Sequence, residues 1–243
     1  MKMIIAPAYQ QYAEVIAALP TLCQQGKGTL LYQQRNAVRR FEHDGVTMVV
    51  KQFKKVNAIQ QVVYTFFRKT KAQRAFLFAG EFRRRDIETP HEIAYIETFR
   101  HGLFTTGYFV CEECTWGDAA QPLRETKDFD RSLGHALMRH VLTMHQRGVL
   151  HGDLNLTNFL YRKSEGHDGG YEFKMIDINR SHFTDGMPTD QQCLENLIRL
   201  THRRDLYEFL VGSYALQRGW DADATKAKAL ALLDHFEHRR LKL

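Results

Sequence analysis

Asp153, Asn158 and Asp177 are the residues of this sequence best equipped for chemistry. The first two lie in His151-Gly152-Asp153-Leu154-Asn155-Leu156-Thr157-Asn158, and the third closes the run Phe173-Lys174-Met175-Ile176-Asp177. A carboxylate can orient an attacking hydroxyl and take its proton. An amide oxygen and a second carboxylate are hard donors that can hold a divalent ion against phosphate oxygens. Together they meet the demands of phosphoryl transfer to an alcohol, which asks little covalent chemistry of the protein. Asp153 suits the first role, Asn158 and Asp177 the second. With Asp153 able to accept the proton, His151 reads as a structural residue that fixes the loop by hydrogen bonding.

A second candidate is Lys51, a single lysine inside the apolar run Thr47 to Phe53. It could contact the α- and β-phosphates of a nucleotide, or it could be a solvated lysine on an edge strand, the commoner fate of lysines.

These residues need elements to position them. The runs Thr29 to Tyr32, Ala37 to Phe41 and Val46 to Phe53, with the turn signal Asp44-Gly45, predict a small antiparallel sheet. Asn57 to Arg85 is basic and helical in period, and Pro90 is the expected stop. Ile93 to Arg100 and Thr106 to Cys111, broken by Gly102 and Gly107, predict a hairpin. A polar connector over Asp118 to Pro122 precedes a helix from Asp128 to Arg147. Its apolar face carries Leu133, Ala136, Leu137, Val141, Leu142 and Met144, with Gly148 as its C-cap. Two strand-like runs, Phe159 to Tyr161 and Tyr171 to Ile178, flank the turn-rich Ser164 to Gly170, and helices are expected from Gln191 onward. Lysine strand, basic helix, hairpin, connector, long helix, loop and acid-ended strand follow the order of a two-lobed kinase.

The whole chain resembles the bacterial lipopolysaccharide kinase family, relatives of protein kinases that phosphorylate core sugars. The resemblance rests on His151 to Asn158, Val49-Val50-Lys51-Gln52-Phe53, Thr70-Lys71-Ala72 leading into Ile87-Glu88-Thr89-Pro90, and Met175-Ile176-Asp177-Ile178-Asn179-Arg180. It implies an α+β, two-lobed protein-kinase-like fold, with an N-lobe of antiparallel sheet plus helix over 1–113 and a mainly helical C-lobe over 114–243. The hinge is expected at about 110–114, with Glu112 in the segment whose backbone meets adenine. The implied activity is transfer of the γ-phosphoryl group of ATP, with Mg²⁺, to a heptose or 3-deoxy-octulosonic acid (Kdo) hydroxyl of the lipopolysaccharide inner core. Asp153 is the implied base, Asn158 and Asp177 the metal ligands, and Lys51 the ATP contact. Alternatives are a nucleotide-binding pseudokinase scaffold and a kinase for a protein or small metabolite.

The chain departs from the kinase pattern in places. No Gly-x-Gly-x-x-Gly is present, so the phosphate-covering loop is assigned to Gln33 to Asn36. Leu77 stands near the place of the helix glutamate, with Glu81 one turn on. Asn179 occupies the glycine position of the metal-binding motif, and no Ala-Pro-Glu follows the segment from Arg180 to Pro188.

With 243 residues, 44% hydrophobic, the chain can bury a sizeable core. Its net charge of +6 suits an anionic partner. Cys23, Cys111, Cys114 and Cys193 are too scattered for a disulfide framework and suggest a reducing cytoplasm. Cys111-Glu112-Glu113-Cys114 lacks a second pair for zinc. No signal peptide and no membrane-spanning run is expected. Phe66-Phe67-Arg68-Lys69, Lys71, Arg74 and Arg83-Arg84-Arg85 form either a face for anionic lipid, giving peripheral inner-membrane contact, or a solvated helix face over buried phenylalanines. No recognition motif supports nucleic-acid binding.

Overall fold

A computed structural model describes residues 1–166 and 170–241. The chain divides into two compact units, Met1–Arg84 with Thr89–Thr115, and Arg85–Glu88 with Trp116–Leu243.

The first unit is built on a six-stranded antiparallel sheet. Its strands are β1 (Lys2–Ile5), β2 (Thr29–Gln33), β3 (Ala37–His43), β4 (Val46–Gln52), β5 (Glu92–Arg100) and β6 (Leu103–Glu112), in the order β1-β5-β6-β4-β3-β2. The tight turns are set by residues that accept positive φ: Asp44 and Gly45 at 45° and 80°, His101 and Gly102 at 51° and 78°. Both pairs match the twist of a two-residue hairpin. Gly107 is no break but an interior residue of β6, where an added Cβ would meet the Cβ of Ala72 at 2.9 Å.

Helices cover both faces of this sheet, so Ile93 to Glu97 of β5 are buried on either side. On one face α1 (Ala13–Gln24) sets Ile16, Leu19 and Cys23 against Met48, Val50, Ile96, Tyr108 and Val110. On the other, Ala72 and Phe76 of α3 (Lys71–Arg84) pack with Phe53 and Tyr95.

The helix expected from Asn57 to Arg85 is two helices, α2 (Ala58–Phe66) and α3. Each has its own start signal. The Asn57 side chain accepts from the Gln60 amide, and buried Thr70 accepts from the Gln73 amide at 3.1 Å while donating to Glu97. The chain leaves α3 at Arg84, before Pro90, and Asp86 has φ of 51°.

In the second unit, α5 (Arg131–Gln146), α7 (Arg204–Arg218) and α8 (Ala222–Leu241) pack together, with β7 (Gly117–Asp118) and α4 (Ala120–Arg124) standing where a plain connector was expected. All six apolar residues anticipated for α5 are buried. Asp130 caps the helix by accepting from the Leu133 amide, and Gly148 follows with φ of 68°. At Gly134 a Cβ would lie 2.6 Å from the Phe209 ring, so the crossing of α5 and α7 needs that glycine. A second layer holds β9 (Phe159–Lys163) between β7 and β10 (Tyr171–Met175), β8 (Val149–Leu150) paired with β11 (His182–Phe183), and α6 (Asp190–Leu197). Residues 167–169 of the expected turn-rich insert lie outside the described residues. Residues 85–88 join this unit because the Met175 amide donates to the Glu88 carbonyl and Arg85 donates to the carbonyls of Arg147, Gly148 and Thr184. Among the described residues, no helix is long and apolar enough to cross a membrane.

Candidate active site

Within the second unit, the loop after β8 and the segment after β10 are laced together by backbone. Leu154, Leu156 and Phe159 are fully buried and anchor the loop, which leaves Asp153 and Asn158 partly exposed between them. Asn155 caps the short turn Leu156–Asn158 by accepting from the Thr157 amide. The Asn158 Nδ2 donates to the Asp153 carbonyl at 2.8 Å, and the Ile176 amide donates to the Asn158 carbonyl at 3.0 Å. With its amide nitrogen committed, Asn158 has its side-chain oxygen as the atom to offer a cation.

Asp177 departs from expectation in its backbone. β10 ends at Met175, and Asp177 adopts a left-handed conformation, φ 56° and ψ 39°, rather than closing a strand. Nδ2 of buried Asn179 donates to Asp177 Oδ1 at 2.6 Å. The residue that replaces the expected glycine therefore holds the carboxylate. Gly152 has a comparable reason to be small, since a Cβ there would meet the Arg180 carbonyl oxygen at 2.1 Å. Neither role is visible in one sequence, because each is a pairing across the chain.

His151 is fully buried between the two segments. Its Nε2–H donates to the Ile176 carbonyl at 3.0 Å, while Nδ1 accepts from the Asp153 amide at 3.2 Å. Accepting at Nδ1 requires the neutral ring, and burial lowers its pKa against the opposing hydrogen bond to Ile176 and the nearby Asp177 and Asp153 carboxylates. The structure thus gives His151 the positioning role anticipated for it. Arg199 was not anticipated. Its Nη1 lies 3.8 Å from Asp153 Oδ1, and its guanidinium sits 5.3 Å from the centre of the Phe236 ring.

Below the loop runs a buried polar chain. The Asn196 Nδ2 donates to the His151 carbonyl at 2.8 Å, and its Oδ1 accepts from His145 Nε2 at 3.1 Å. His145 Nδ1 accepts from the Tyr214 hydroxyl at 2.7 Å, which in turn accepts from Arg218 at 2.9 Å. Replacing Asn196 by leucine strands the His151 carbonyl and the His145 N–H in the interior. At about 1–3 kcal/mol for each orphaned group, this is expected to lower Tm by roughly 4–20 °C, as calorimetry would show.

Burial lowers the His145 pKa from 6.5 to about 4. Below pH 6.5 the unfolded chain takes a proton that the folded chain refuses until about pH 4. Stability contributed by neutral His145 is therefore complete above 6.5 and is lost as pH falls toward 4. The expected slope is about 1.4 kcal/mol per pH unit for this group. It is to be read as a fall in Tm on acidification that is shallower in His145→Gln.

In the first unit Lys51 lies on β4 between β3 and β6, opposite Val38 and Phe109, so it is not on an edge strand. Its Nζ is 5.5 Å from the centre of the Phe53 ring. Leu77 is 40% exposed, and Glu81 accepts from Arg84 at 2.6 and 2.8 Å. The Glu112 amide donates to the His91 carbonyl and its carboxylate accepts from the Tyr9 hydroxyl, so an adenine contact at Glu112 would use its carbonyl. Gln34 to Asn36 form the turn between β2 and β3, closed by the Gln34 amide to the Asn36 carbonyl at 3.1 Å.

Among the described residues no cluster of three His, Cys, Asp or Glu side chains could hold a metal. Asn158 and Asp177 offer two hard oxygen ligands. That set suits a hard divalent cation that completes its shell with water and phosphate oxygens rather than a protein cage.

The chain is similar to known proteins along most of its length. The model of the lipopolysaccharide kinase (Kdo/WaaP) family matches residues 25–233. Among solved structures, WaaP in complex with acyl carrier protein aligns with a TM-score of 0.61 at 18% identity, covering 100% of this chain and 99% of that one. The Rio2 kinase–ADP/Mg²⁺–phosphoaspartate complex from Chaetomium thermophilum aligns with a TM-score of 0.46 at 14% identity, covering 93% and 76%. The EKC/KEOPS complex subunit BUD32 of Cryptococcus neoformans var. neoformans serotype D is 33% identical over 90 residues, 35% of this chain. The match spans 30% of that relative's length.

Proposed function

The chain belongs to the lipopolysaccharide kinase (Kdo/WaaP) family and has a protein-kinase-like fold, and on that premise we propose that it is a phosphotransferase that transfers the γ-phosphoryl group of ATP to a sugar hydroxyl of the lipopolysaccharide inner core. The acceptor sugar is a heptose or Kdo.

In this reading Asp153 aligns the sugar hydroxyl and takes its proton as the oxygen attacks the γ-phosphorus, whose bond to the bridging oxygen breaks so that ADP leaves. Asn158 and Asp177 would hold the metal, and Lys51 would contact the α- and β-phosphates. When bound, Mg²⁺ neutralises charge on the phosphate oxygens. The protein's part is to hold the hydroxyl in line and to keep the carboxylates in place, so catalysis is mostly positioning and electrostatics. The observation that carries the reading is the lacing of Asp153 to Asn158 and of Asn158 to Ile176, beside Asp177.

The test is transfer of label from γ-labelled ATP to lipid A-core glycolipids lacking core phosphate. One acceptor ends in Kdo and another carries heptose. Label in either glycolipid, and none in a peptide or a free small metabolite, is the expected result. ATP binding with no transfer to any acceptor would instead mark a nucleotide-binding scaffold.

A further inference from the structure

Four large apolar side chains stand in solvent on and just after α2: Ile59 at 77% exposure, Val62 at 41%, Phe66 at 68% and Phe67 at 78%. Spacing of three and four residues places Ile59, Val62 and Phe66 on one face of the helix. A different face holds the helix to the sheet. Tyr64 packs edge-on against Phe104, and the Phe104 amide donates to the Thr65 hydroxyl at 2.9 Å. The exposed stripe therefore belongs to a docked helix. The reading of these phenylalanines as buried fails for Phe66 and Phe67.

Charge frames the stripe at both ends, with exposed Lys54 and Lys55 before the helix and exposed Arg68 and Lys69 after it. From Lys51 to Gly80 the sequence holds seven lysines and arginines and no acidic residue. Lys54 and Lys55 also line a cavity of about 280 Å³ with Arg35 and Lys71, and no carboxylate is among its lining residues. The other basic cluster is committed within the fold: Arg83 pairs with Glu92, Arg84 with Glu81, and Arg85 with three carbonyls.

We propose that α2 and its flanks dock the first unit onto an anionic lipid bilayer. Ile59, Val62, Phe66 and Phe67 enter the boundary between headgroups and acyl chains, and the cations at both ends meet lipid phosphates. A helix lying in the interface needs this arrangement, an apolar stripe with long basic side chains that reach back to the headgroups. Charge complementarity selects anionic over neutral lipid. The proposal deepens the glycolipid-kinase reading, on which its purpose rests, by naming the surface on which the acceptor is met.

The experiment is co-sedimentation of the full chain, without ATP, with phosphatidylcholine vesicles and with the same vesicles containing one-third phosphatidylglycerol. Binding to the anionic vesicles is expected to be at least roughly tenfold stronger and to weaken as salt rises. The triple variant Ile59→Ser, Phe66→Ser, Phe67→Ser and the double variant Lys54→Glu, Lys55→Glu are each expected to lose roughly tenfold or more of that binding. Their Tm should stay at the wild-type value, because the altered side chains face solvent.

Equal vesicle binding by wild type and triple variant, or none by wild type, overturns the proposal. So does a dimer in ultracentrifugation that the triple variant dissolves, or capture of an acidic protein without vesicle binding; these assign the face to a second copy or to a protein. Vesicle binding without transfer to any glycolipid would leave the docking face standing and sink the kinase reading instead. Normal transfer to detergent-dispersed acceptor by a variant deficient on bilayers would support both.

Discussion

Replacing Asp153 by alanine is expected to slow phosphoryl transfer roughly 10²- to 10⁴-fold, the range a positioned general base contributes. ATP affinity should stay near wild type. The side chain is about one-third exposed, and its carboxylate lies 3.8 Å from the Arg199 guanidinium. The backbone bonds that shape the loop run through the Asp153 amide and carbonyl, which alanine keeps. The fold and the His151 contact should therefore survive, and the loss should appear in kcat. Single-turnover transfer from labelled ATP, beside calorimetric titration with nucleotide, separates the two. Retention of even a tenth of wild-type turnover would remove Asp153 from the role of base.

Asp177→Asn is expected to cost roughly a thousandfold in turnover, on the scale of losing a key electrostatic contribution to phosphoryl transfer. Asparagine is the informative replacement because the backbone here is left-handed, φ 56°, which asparagine tolerates and alanine resists. Its amide oxygen can still accept from Asn179, so the change removes charge and little else. Binding of Mn²⁺ with ATP, followed by electron paramagnetic resonance, should weaken in step with turnover. Unchanged Mn²⁺ affinity would shift the metal site away from Asp177.

Much of the fold can be read locally in the sequence. Asp44-Gly45 marks its own turn, and the apolar face of α5 is spelled out at helical spacing from Leu133 to Met144. The loop from His151 to Asn158 carries its chemistry in its residue types. What escaped depends on distant partners. β1 is a strand because Lys2 to Ile5 pair with Glu97 to Ala94, far along the chain. α1 repeats apolar residues at Ile16, Leu19 and Cys23, but Pro20 within it disguises the period. The break between α2 and α3 was legible in principle, because Asn57 and Thr70 each precede a glutamine by three residues, a helix-start spacing. Asn179 and Gly152 show the limit of local reading. Their value lies in what they face, the Asp177 carboxylate and the Arg180 carbonyl.

The clasp between Asn179 and Asp177, with Arg180 pressed on Gly152, bears on inhibition. Many kinase-fold enzymes have a metal-binding segment that swings outward, and compounds exploit the space it vacates. Here an outward swing of Asp177 would break the 2.6 Å bond to Asn179, and the segment starts from direct packing against the loop that carries Asp153. Compounds that need a vacated space have no prepared seat at this segment. Selective ligands should be sought at the nucleotide and acceptor positions of the proposed reaction rather than behind this segment.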